Sequence, residues 1–148
     1  MDNEYYMSLA LKLAQEAFDS GEVPVGCVVV RNGEVIGEGR NMREELSSAL
    51  LHAEAVAIHR ACKRLGDWRL TDCKLFVTLE PCLMCAGAIV NSRLPEVYYG
   101  AKDENAGACG SILNVFEEGF GHRPKLYGGI LETECGELLS EFFKKRRK

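Results

Sequence analysis

His52, Glu54, Cys82 and Cys85 are the residues of this chain whose types and spacing could do chemistry together. An imidazole and two thiolates make three ligands for one zinc ion. Three protein ligands leave a fourth position open to water, which separates a catalytic zinc site from a closed structural one. The soft thiolate pair selects zinc over harder divalent cations. Glu54, two residues after the histidine, is placed to handle protons, and a metal with a positioned carboxylate is the equipment for hydrolysis near neutral pH.

Each half of the pattern has a plainer interpretation when taken alone. His-x-Glu is common at surface helix starts. Cys82-x-x-Cys85 can be a redox pair or half of a structural zinc site, with Cys73 or Cys109 as further thiols. A redox pair leaves His52 without a role, and neither Cys73 nor Cys109 lies in a second close-spaced pair. Cys27 and Cys62 fall in apolar patterns and read as core thiols. His59 and His122 read as surface or hydrogen-bonded histidines.

The elements that must position the four residues can be read from periodicity. Residues 4–18 have apolar side chains at helical spacing, with Asp2 or Asn3 as cap. Val25 to Val30 is a buried-strand run, and Asn32-Gly33 is a hairpin turn that returns the chain through Val35 to Gly39. Residues 41–50 form a loop, and a helix from Leu51 to Arg64 ends at Gly66. Lys74 to Thr78 is a strand. Pro81 opens a helix to Ser92 as a first-turn proline, placing Cys82 and Cys85 on one side of its first turn. A helix N-terminus favours thiolates through its free N–H groups and dipole. On a regular helix His52 and Glu54 would point about 200° apart, so a shared site requires irregular geometry at that helix start.

Beyond Val97 to Gly100, a strand, come a polar loop over 101–110, a short helix over 112–118, a strand at Lys125 to Tyr127 and a helix from Glu132 onward. An initial hairpin followed by strand–helix alternation predicts an α/β fold of three layers, a five-stranded mixed sheet flanked by helices. Residues 1–148 suit one domain. The start of the sequence lacks a signal-peptide design, no apolar run is long enough to span a membrane, and seven cysteines, an odd number, suit reduced thiols in a cytoplasm. The net charge is −4, yet residues 144–148 are all basic. An acidic body with a basic helix end does not suit a general nucleic-acid coat.

A histidine with a glutamate two residues on, followed by Pro-Cys-x-x-Cys, is the known signature of the cytidine-deaminase-like zinc deaminases, which this chain resembles. Within them it resembles the bacterial tRNA-specific adenosine deaminases. The likeness runs through Glu22 to Gly26, Gly37 to Asn41, Trp68-Arg69-Leu70, Val77 to Ala88, Ser92-Arg93, Gly100 to Asp103, Gly110-Ser111 and Leu139 to Arg147. The resemblance implies zinc-dependent hydrolytic deamination of adenosine to inosine at the wobble position of a tRNA anticodon loop, with release of ammonia. That is the work of a hydrolase acting on C–N bonds in cyclic amidines. It implies one zinc ion on His52, Cys82 and Cys85, Glu54 as proton shuttle, and Asn41 as a hydrogen-bonding partner of the target nucleoside. Pro24 and Val25 would form the apolar wall beside the base, and Asp103 would lie near the flanking nucleotides. Phe143, Arg146 and Arg147 would meet the anticodon loop, and the enzyme would be a homodimer. The apolar, small-sided stretch Met84, Ala86, Gly87, Ala88 and Ile89 offers a face for that contact. One departure stands out: Ser48-Ala49-Leu50-Leu51 replaces the family's usual Asp-Pro-Thr-Ala, with Ser48 as a possible helix cap.

Two other functions fit part of the pattern. A free-base guanine or cytosine deaminase shares the zinc motif but has no use for Phe143 beside five basic residues. A non-catalytic zinc-holding subunit has no use for an intact Glu54.

Overall fold

The structure, a computed structural model, describes residues 2–146. Its elements are α1 (Asn3–Asp19), β1 (Gly26–Arg31), β2 (Glu34–Arg40), α2 (Ala53–Leu65), β3 (Cys73–Leu79), α3 (Leu83–Asn91), β4 (Glu96–Ala101), a 3-10 turn (Val115–Glu117), β5 (Lys125–Tyr127) and α4 (Glu132–Arg146). Asp2 caps α1 by accepting the Tyr5 amide at 2.8 Å. Asn32 and Gly33 both take positive φ, 51° and 79°, the combination a two-residue hairpin turn requires.

The five strands lie in the order β2-β1-β3-β4-β5. β1 runs antiparallel to β2 and β3, whereas β3, β4 and β5 are parallel. The three-layer α/β arrangement read from the sequence is therefore present. One face of the sheet packs Val29, Leu75, Val77 and Val97 against Ala57 and Ala61 of α2 and Ala86 and Ile89 of α3. The other packs Val28, Phe76 and Tyr98 against Tyr6, Met7 and Ala10 of α1 and Cys135 of α4. Alternation across the pleat separates these two sets along each strand.

Helix α2 lies almost on the backbone of β2. A Cβ at Gly39 would sit 2.2 Å from the Ala53 carbonyl, and one at Gly37 would sit 2.4 Å from that of Ala57. Only glycine permits this approach, and it fixes the first turn of α2 against the sheet. Gly66 ends α2 in the left-handed conformation at φ 72°. Beyond it, Trp68 is exposed beneath the guanidinium groups of Arg69 and Arg93, at 5.0 and 5.7 Å from its ring centroid.

Four local expectations shift. α2 starts at Ala53 and α3 at Leu83, so Pro81 precedes the cap of α3 instead of opening it. Ser48 caps no helix; its hydroxyl accepts the Leu50 amide at 3.3 Å within the loop. The helix expected over 112–118 contracts to the 3-10 turn, capped by Asn114. Cys62 is half-buried at the edge of the core. His59 is exposed and the ring of His122 meets the Leu94 carbonyl at 2.6 Å. Among the described residues no helix is long and apolar enough to cross a membrane.

Candidate active site

His52 and Cys82 occupy equivalent places: each is the residue capping the N-terminus of a helix, with extended backbone at ψ 156° and 177°. This resolves the geometric difficulty of the first helical turn. Because His52 stands outside α2, the 200° rotation expected of two helical residues does not apply, and His52 and Glu54 both line one pocket. Cys82 likewise stands just outside α3, and Cys85 lies on its first turn, fully buried.

The ring Nδ1 of His52 lies 3.5 Å from Cys82 Sγ and 3.7 Å from Cys85 Sγ, and the three ligand atoms fall within 4.8 Å of one another. Zinc bound tetrahedrally by nitrogen and sulfur separates those atoms by about 3.6 Å, given bond lengths near 2.1 and 2.3 Å. The trio therefore fits a zinc ion in both donor type and spacing. Its electrostatics point the same way. The Cys85 thiol, the His52 ring and the Cys85 amide hold Cys82 down at about 3 against its burial. Cys85 is pushed up by the hydrogen bond with Cys82, by burial and by Glu54. A divalent cation among them favours both thiolates.

Glu54 is only 4% exposed. Burial lifts its pKa to about 7, with the Cys82 charge adding to the rise while its own backbone amide and His52 oppose it. A carboxyl poised there can give and take a proton near neutral pH.

The pocket holding these groups is a cavity of about 210 Å³, walled by Val23, Val25, Asn41 and Arg43 as well as Leu79, Glu80, Asp103 and Ala106. Pro24 is buried but is not among the wall residues; Val23 and Val25 flank it there. The Asn41 side-chain amide donates to the Val23 carbonyl at 3.3 Å and its oxygen accepts the Arg43 amide at 3.3 Å. A second cavity of about 240 Å³ shares Val23, Asn41 and Arg43 with the first and brings in Phe142, Phe143 and Arg146 of α4. Phe143 is 43% exposed, whereas Phe142 packs inward against Phe18. Arg146 lies over the Phe142 ring and donates to the Gly21 carbonyl at 3.2 Å. Arg147 lies outside the described residues.

Sequence alone does not single out three residues that line the two cavities. Arg43 had no distinguishing local pattern. Glu22 and Glu80 are buried carboxylates, 1% and 2% exposed. Burial raises Glu80, but the Ser111 hydroxyl and the amides of Asp103, Ser111 and Cys109 outweigh it and hold the group below the usual carboxylate range. The signal for Glu80 was its place at the end of an apolar strand, where a charge needs partners.

Residues 1–101 match the family described as cytidine and deoxycytidylate deaminase zinc-binding region. The tRNA-specific adenosine deaminase of Bacillus subtilis (strain 168) is 48% identical over 147 residues, covering 99% of this chain and 91% of the relative. The chain belongs to the tRNA-specific adenosine deaminase family. A solved structure from work on A-to-I editing by tRNA:A34 deaminases at the wobble position of transfer RNA superposes on this family member with a TM-score of 0.87. It shares 42% identity, with 90% of this chain and 98% of that one covered. The guanine deaminase of Bacillus subtilis is more distant, with a TM-score of 0.68 and 34% identity over 100% of this chain and 96% of that one. As a member of this deaminase family the chain is a hydrolase of C–N bonds, and its cofactor is zinc.

Proposed function

We propose that the chain, as one domain over residues 1–148 with a basic helix end at 144–148, deaminates the wobble adenosine of a tRNA anticodon stem-loop to inosine in the cytoplasm. The observation that carries the RNA substrate is the adjacency of two cavities. The one beside the metal trio shares Val23, Asn41 and Arg43 with the one lined by Phe143 and Arg146. A base acted on in the first must be unstacked, and loop nucleotides cost least to extrude. Phe143 offers a surface for stacking a neighbouring base, and Arg146 and Arg147 offer charge to phosphates.

His52, Cys82 and Cys85 hold the zinc ion, which when bound supplies Lewis acidity and an activated water. Glu54 takes a proton from the attacking water and delivers it to N1 of the adenine ring as C6 is attacked, then takes the proton of the new C6 hydroxyl and passes it to the departing amine. Water and adenosine become inosine and ammonia, so the balance needs no other reactant. Val25 packs against the base, with Pro24 supporting that segment from behind. Asn41 hydrogen-bonds the nucleoside, and Asp103 borders its flanking nucleotides.

Inosine formation on an anticodon stem-loop, measured beside turnover of free guanine, cytosine and adenosine, tests this. The stem-loop is expected to be the good substrate. Glu54→Ala keeps its zinc and fold and loses nearly all turnover, while deletion of residues 144–148 weakens RNA binding and flattens its salt dependence. Turnover of free guanine with no action on RNA overturns the tRNA assignment and leaves the deaminase assignment standing.

The homodimer is supported by an apolar surface beside α3. Ala86 and Ile89 face the chain's own core, so the outward side of α3 is Leu83, Gly87 and Val90, joined by Leu113 and Phe120 around a cavity of about 580 Å³. Exposed apolar patches of this kind mark interfaces, and a two-fold contact would present the same patch twice. Sedimentation at micromolar concentration is expected to give twice the monomer mass; a clean monomer rejects the assembly.

A further inference from the structure

The wall of the pocket between β4 and the 3-10 turn is built around a carboxylate that the chemistry does not use. Glu80 Oε1 accepts the Asp103 amide at 3.1 Å and the Ser111 hydroxyl. Its Oε2 accepts the Cys109 amide at 3.1 Å and the Ser111 amide at 3.0 Å. A carboxylate presents about four acceptor sites on two oxygens, and here all are met by donors from one loop. The loop closes so tightly that a Cβ at Gly107 would lie 2.4 Å from Glu80 Oε2. It is also stitched to the metal-binding turn, because the Ala108 amide donates to the Pro81 carbonyl at 2.9 Å and Gly107 bridges to Cys82. Asp103 and Ala106, on the same loop, face the pocket beside His52 and Glu54.

We infer that Glu80 is a positioning residue: it gathers the backbone of residues 103–111 into the shape that presents Asp103 at the pocket, and so sets how tightly substrate is held. The inference rests on the deamination proposed above. The division of labour follows from where the groups stand. His52, Glu54 and Cys85 are carried by the starts of α2 and α3, which pack on the sheet through Ala53, Ala57, Ala86 and Ile89. The wall, in contrast, has its amides turned inward onto one side chain. Loosening it moves Asp103 before it moves Glu54.

Glu80→Gln tests this with the full-length zinc-loaded protein and an RNA stem-loop. Glutamine keeps the size but has one acceptor oxygen, so its NH₂ group confronts N–H donors. KM is expected to rise about tenfold, the loss of one hydrogen bond to a charged group, with kcat changed by less than about threefold and zinc content full. Ser111→Ala removes only the hydroxyl and is expected to raise KM less, in the same direction. In an Asp103→Ala background Glu80→Gln is expected to add little, since contacts in one chain of action are not additive. Amide exchange should quicken across 103–111 and stay unchanged in α2 and α3.

A fall in kcat with KM unmoved, or full multiplication of the two effects in the double variant, overturns the inference. Should Glu80→Gln fail to fold, Ser111→Ala decides it: an unmoved KM with unchanged loop exchange rejects the positioning role. Should the unaltered protein make no inosine, the deamination proposal itself fails. In that case amide exchange alone is read, and unchanged exchange in Glu80→Gln rejects Glu80's hold on the loop.

Discussion

Residues 41–52 and residues 101–114 wall the same pocket, and each loop hangs on one buried glutamate, yet they are built differently. Glu80 gathers three amides and a hydroxyl, its loop adds Ala108 and Cys109 to the core, and the 3-10 turn that follows adds Val115 and Phe116. Glu22 receives two amides, those of Glu44 at 3.1 Å and Glu45 at 2.6 Å. The loop it holds keeps Leu46 and Leu50 exposed and places Ser47 at φ 49°. A loop that contributes side chains to the core is stabilised by burial as well as by its hydrogen bonds. One that contributes few depends on the hydrogen bonds at its base. The wall carrying Asp103 is thus continuous with the interior, whereas the wall carrying Arg43 is a flap.

The sharpest break of that contrast is Gly107→Ala. The added methyl meets both the Glu80 carboxylate, which four hydrogen bonds hold in place, and the Asp103 backbone carbonyl at 2.4 Å. A loss of about 3 kcal/mol in urea unfolding, the upper end for overpacking, is expected, together with a raised KM. Glu22→Gln comes next. Glutamine retains one of two acceptors, so a loss of about 1 kcal/mol is expected, with faster amide exchange confined to 42–50. If Glu22→Gln costs more stability than Gly107→Ala, the assignment of flap and wall is reversed.

The sequence made some of this legible because the causes were local. The Asn32-Gly33 turn, the Gly66 helix end and the paired motif around His52 and Cys82 depend on neighbours within a few residues. Periodicity sufficed for the mixed sheet. What it did not reveal were the two carboxylate anchors. Glu22 reaches amides on the far side of the β1–β2 hairpin, and Glu80 reaches amides beyond β4. Backbone N–H groups carry no mark in a sequence, so their acceptors are visible only once the chain is folded. The same limit explains the metal trio. Spacing alone put His52 and Cys82 inside helices, and the fold puts both one step outside, where their side chains turn toward a common point.

Trp68 is the only tryptophan in the chain, and it sits just past the C-terminal end of α2, whereas His52 and Glu54 stand at the other end. The thirteen residues of α2 lie between His52 and Trp68, about 20 Å along the axis. Its emission will therefore report solvent and ionic conditions at the Arg69–Arg93 surface and the loss of structure around it, but not the arrival of a base in the pocket. An optical titration of substrate binding calls for a fluorescent nucleotide in the RNA, leaving the intrinsic signal as an independent check that the protein remains folded.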